Sequence, residues 1–193
     1  MKWTRLLLVL ICLLTLCGCA GNDRGREPEN TVLAQVVGVD RMDGVWLLTA
    51  AGKDGSGESV CRTVAGKNLA EVFEALPGSG ETWISLSGVS DVLVGDGVEL
   101  REVLLFILED GRMSWRANVW CVPIAAAVME EHTSGGGDRL AVLKEAGTAT
   151  ATVLETLERL EDEGEAKLPA LTEREGVLAV GGTLYYGRKA GDG

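Results

Sequence analysis

Between Val89 and Glu131 the sequence changes its apolar period three times in succession. Val89 to Val94 is a β-type run closed by the turn Gly95-Asp96-Gly97. From Glu99 to Glu109, Leu100, Val103, Leu104, Ile107 and Leu108 fall on one helical stripe, with Glu99, Arg101, Glu102 and Glu109 off it. Asp110-Gly111 breaks the helix. Trp115 to Val122 is β-type again, and Pro123 opens a second helix through about Glu131, as proline does at a first helical position. Strand, helix, strand, helix in immediate succession calls for a sheet with helices packed on it.

The flanks extend this pattern. Val32 to Val39 and Val45 to Ala51 are β-type runs separated by Asp40 to Gly44, and Asp43-Gly44 is a hairpin signal. Glu58 to Val64 alternates after a Gly-rich segment. Asn68 to Leu76 reads as a helix through Leu69, Val72, Phe73 and Leu76, ended by Pro77-Gly78. Thr82 to Leu86 is strand-like. Thr133 to Gly137 reads as a loop, Asp138 as the cap of a helix over Arg139 to Glu145, and Thr148 as the cap of a long acidic helix to about Asp162. Leu168 to Leu171 is extended, and Val177 to Val180 and Thr183 to Tyr186 form a last strand pair around Gly181-Gly182. With helices interleaved in the middle and hairpins at both ends, the expected fold class is α+β. It is a mixed β-sheet with packed helices in a single compact domain spanning residues 32–187, with a disordered tail over 188–193.

The N-terminus reads as an address. Lys2 and Arg5 precede an apolar run from Leu6 to Leu16, followed by Cys17-Gly18-Cys19. A cationic start, an apolar run and a small residue before a cut are the parts of a secretory signal. The run falls short of the roughly 17–25 apolar residues that span a bilayer. Leu16 at −3, Gly18 at −1 and Cys19 at the first mature position resemble the lipobox of a bacterial lipoprotein. On that reading residues 1–18 are the signal peptide and Cys19 carries the lipid. Ala20 to Thr31, without apolar period, completes a flexible tether over 19–31 that reaches roughly 40 Å if fully extended.

Lys2 and Arg5 leave with the signal, which takes the net charge from −11 to −13. So acidic a surface repels nucleic acid and anionic headgroups, and neither is an expected partner. The membrane partner is instead the bilayer that holds the Cys19 acyl chains. Export permits a disulfide between Cys61 and Cys121, although both sit in strand-like runs where reduced, buried thiols are the simpler expectation. His132 is the only histidine, which excludes a multi-histidine metal centre and leaves little for histidine-based catalysis. The acidic cluster Glu155, Glu158, Glu161, Asp162, Glu163 and Glu165 lacks EF-hand spacing and reads as a solvated face. Gly135-Gly136-Gly137 lacks the Gly-Lys-Ser/Thr ending of a phosphate loop. Ser85, Ser87 and Ser90 lack a nucleophile elbow. No cofactor, metal or catalytic residue is therefore expected. Trp46, Trp83 and Trp120 are expected in the core, and Trp115 with Arg116 is the candidate for partner contact.

The order of these elements resembles the N-terminal domain of the spore germination lipoproteins of the Ger(x)C (GerAC-like) family. The residues that carry the likeness are the lipobox at Cys19, the Gly-x-Asp turn Gly38-Val39-Asp40 and the helix start Gly66-Lys67-Asn68. Further matches are Val92-Leu93-Val94-Gly95, the helix Val103 to Asp110, the strand Arg116 to Val122 and the closing segment Gly176 to Gly187. Ala20-Gly21 stands where the family has Trp-Asp, and Ser87-Gly88 where it often has Gly-His. The family normally continues into further domains beyond the equivalent of this chain. The resemblance implies a lipid-anchored, non-enzymatic subunit of a spore germinant receptor with GerAA-like and GerAB-like membrane partners. It would lie on the outer face of the cytoplasmic membrane or on the spore inner membrane. The alternative expectation is an exported lipoprotein that binds a small ligand in a concave apolar pocket, unrelated to germination.

Overall fold

A computed structural model describes residues 30–132, 140, 143–145, 147–174 and 177–187. The signal, Cys19, most of the tether, the loop and cap over 133–138 and the tail over 188–193 lie outside the described residues, as does the side chain of His132. The strands are β1 (Thr31–Met42), β2 (Val45–Lys53), β3 (Ser59–Gly66), β4 (Trp83–Ser85), β5 (Asp91–Gly95), β6 (Asn118–Val122), β7 (Ala151–Thr152), β8 (Glu165–Arg174) and β9 (Val177–Gly187). The helices are α1 (Leu69–Ala75), α2 (Leu100–Asp110), α3 (Ala125–His132) and α4 (Val153–Asp162), with a short 3-10 turn over Leu76–Gly78.

All nine strands join one sheet in the order β3-β2-β1-β5-β6-β8-β9, with β4 also beside β1 and β7 beside β6. The centre is parallel: β1 with β5, β5 with β6 and β6 with β8. Both margins are antiparallel, β3-β2-β1 on one side and β8-β9 on the other. This is the mixed α+β sheet that the interleaved periods predict. The β1–β2 turn is made by Asp43 (φ 51°) and Gly44 (φ 81°), the pair of positive dihedrals that a two-residue type I′ hairpin needs.

Helices cover both faces because the central strands are apolar on both. On one face Val37, Val39, Val92, Val94, Val119 and Cys121 pack beneath α1, α2 and α4. The α2 stripe is the spine of this layer: Leu100, Val103, Leu104 and Ile107 are all buried. Truncating Leu104 to Ala would cost roughly 2–5 kcal/mol. On the other face Val36, Leu93, Trp120 and Val122 pack against Ala125 and Met129 of α3 and against Leu140.

Several local expectations change. The N-cap of α4 is Thr152, not Thr148. Its hydroxyl accepts the Glu155 N–H while Glu155 reaches back to the Thr152 N–H, a reciprocal capping box. Strand β6 begins at Asn118, three residues later than the β-type run, because Ser114 to Ala117 form a turn closed by the Ala117 N–H on the Ser114 carbonyl. Gly181-Gly182 is no turn. Gly181 lies at a bulge within one continuous strand, β9, whose hairpin partner is β8. Leu168 to Leu171 is the middle of β8. Trp46 and Trp120 are core residues, whereas Trp83 is half-buried.

Candidate functional site

Two polar centres lie within the sheet. At the carboxyl end of β1, the buried Asp40 accepts the N–H groups of Ala125 and Ala126, each at 2.8 Å, and so neutralises the open start of α3. Gly38, two residues earlier, lets α3 lie on the strand: a Cβ there would come within 2.6 Å of Met129 Sδ and 2.8 Å of Ala125 Cβ. The Gly-x-Asp motif is therefore a strand-to-helix joint. Gly66-Lys67-Asn68 is a second one. Asn68 accepts the Glu71 N–H, Glu71 accepts the Lys67 N–H, and a Cβ on Gly66 would meet Val72 at 2.8 Å.

At the opposite, amino end of the parallel strands, Asp91 is 1% exposed. It accepts from Trp120 Nε1 (2.8 Å) and Ser90 Oγ (2.6 Å), and pairs with Lys144 Nζ at 2.9 Å. A buried carboxylate is tolerable only when donors surround it, and here Ser90 just before β5, Trp120 of β6 and Lys144 supply them. Sequence reasoning missed this cluster, since Asp91 and Lys144 are 53 residues apart.

A concavity of about 840 Å³ lies where the start of α2 meets the end of α4. Gly97, Val98, Arg101, Leu160, Glu161 and Tyr186 line it. Two of its charges pair with each other, Arg101 Nε standing 2.6 Å from Glu161 Oε1, while Glu99 adds a further carboxylate to the lining. Within that lining the Tyr186 hydroxyl stands beside the Cys121 thiol. Burial pushes Cys121 up to about 11 and raises Tyr186 as well, so both stay protonated at neutral pH. Neither is an activated nucleophile.

Trp115 and Arg116 lie in the turn before β6. Trp115 is 46% exposed, and the Arg116 guanidinium stands 4.6 Å from its ring centroid. Cys61 and Cys121 are thiols, not a disulfide, and pack in different layers. Glu155, Glu161 and Glu165 of the acidic cluster are spread over a cap, an ion pair and the start of β8. Among the described residues no group of three or more His, Cys, Asp or Glu side chains is placed to hold a metal.

No protein-family model, curated protein or solved structure matches the chain.

Proposed function

We propose that this chain is a lipid-anchored, non-enzymatic subunit of a spore germinant receptor, held beside GerAA-like and GerAB-like membrane subunits. The observation that carries the reading is the Leu16-Cys17-Gly18-Cys19 ending of the signal, followed in order by the motifs of a Ger(x)C-like domain. The role of those motifs in the fold supports it. Gly38, Asp40, Gly66 and Asn68 build joints between strands and helices. A likeness resting on such residues concerns a scaffold rather than a reaction. On this reading the acyl chains on Cys19 confine the domain to the bilayer and raise its effective concentration toward membrane partners. Arg116 and Trp115 offer an exposed contact.

The test is a Cys19→Ala copy in spores of the source organism. Loss of nutrient-triggered germination, together with recovery of multi-span proteins in pull-downs of the unaltered chain from spore membranes, is the expected result. Normal germination by the unlipidated copy sinks the proposal.

The 840 Å³ concavity favours a second reading, an exported lipoprotein that binds a small ligand. Thermal-shift screening against amino acids and sugars separates the two, because clear stabilisation selects the binder.

A further inference from the structure

Strand β9 runs for 11 residues, Val-Leu-Ala-Val-Gly-Gly-Thr-Leu-Tyr-Tyr-Gly, without a charge or a proline, in a chain of net charge −11. It pairs with β8 along one side, and among the described residues no strand lies on its other side. Val180, Leu184 and Tyr185 are exposed, Tyr185 by 66%. Long outer strands usually carry lysine, proline or inward charges that block further pairing. The outer strand at the other margin, β3, has Arg62 near its middle. The only such device in β9 is the bulge at Gly181.

The geometry points to β9 as the contact surface for a second copy of this chain, the two β9 strands pairing antiparallel about a two-fold axis through Gly182. In that register the strand complements itself. Val180 falls opposite Leu184 of the other copy and Ala179 opposite Tyr185. The two-fold operation therefore sets a smaller side chain against each of the exposed large ones, as an isologous contact requires. The exposed glycines let the two backbones approach at the centre. No like charges meet at the seam. The electrostatic cost comes from the bodies of two acidic chains, at a distance where salt screens it. Association should therefore tighten as salt rises.

The experiment is sedimentation of the full chain extracted in excess detergent, from about 1 to about 100 µM. A monomer–dimer equilibrium is expected, tightening about threefold or more between about 50 and about 500 mM NaCl. The Thr183→Glu/Tyr185→Glu double variant should stay monomeric with an unchanged circular dichroism spectrum, since both residues are exposed. A cross-link covers the case in which that variant fails to fold. Gly182→Cys has open space for its side chain and should give a covalent dimer on oxidation, beyond the background of the unaltered chain. A monomer throughout, a dimer that survives the glutamates, or no gain in cross-linking overturns the proposal. So does weaker association at high salt.

Discussion

The carboxylate of Asp40 caps a helix that begins 85 residues later, holding the N–H groups of Ala125 and Ala126 at 2.8 Å each. Asp40→Ala should cost about 1–2 kcal/mol, the upper end of the range for a lost helix cap. Asp40→Asn should cost less, because its amide oxygen can still accept. Urea denaturation of the two variants checks the order.

Gly95 stands against that same carboxylate, and a Cβ on it would collide with Asp40 Oδ1. Gly95→Ala should therefore destabilise by about 1–3 kcal/mol, as overpacking does. The penalty should shrink when Asp40 is already Ala. A double-mutant cycle measures the coupling, and strictly additive losses would show that the collision is relieved elsewhere.

Asp91 and Lys144 make an unequal pair. Asp91→Ala leaves Trp120 Nε1 buried without its acceptor and Lys144 without its counter-charge. Lys144→Ala leaves Asp91 with Trp120 and Ser90 still donating. The expected losses are about 3 kcal/mol for the first and about half that for the second, whose side chain is 30% exposed. Equal losses in denaturation would show that the pair acts through its charge alone.

Cys121 sets a pH dependence. Burial raises its folded value to about 11 from 9.0, so the folded state holds its proton more tightly than the unfolded one. That contribution to stability is complete below about pH 9 and is lost as pH climbs through about 11. At pH 8 a thiol-alkylating reagent should modify Cys61 and spare Cys121 until the protein is denatured. Peptide mass mapping reads the difference.

The sequence is most legible where order is local. The α2 stripe repeats along 11 residues, and the Asp43-Gly44 turn needs only its own two dihedrals. The true cap of α4 was also within reach, because Thr152-Val153-Leu154-Glu155 spells a capping box. Thr148 has no such partner three residues on. Gly181-Gly182 misleads because a glycine pair reads the same in a turn as in a bulge, and only the pairing with β8 decides which. The Asp40 cap and the Asp91 cluster leave no periodic trace. Each joins residues more than 50 positions apart, where the pairing is set by the sheet and not by the neighbours in sequence.

The position of β1 has a mechanical consequence. The chain enters it at Thr31, and the strand is bonded lengthwise on both sides, to β2 and to β4 and β5. Tension applied ahead of Thr31 along the strand loads both hydrogen-bond ladders at once, in shear. Tension drawn crosswise from the β9 margin would unzip a single ladder rung by rung. Single-molecule stretching from the two positions should give the higher rupture force at Thr31. A domain tethered through β1 is thus gripped at its most force-resistant strand.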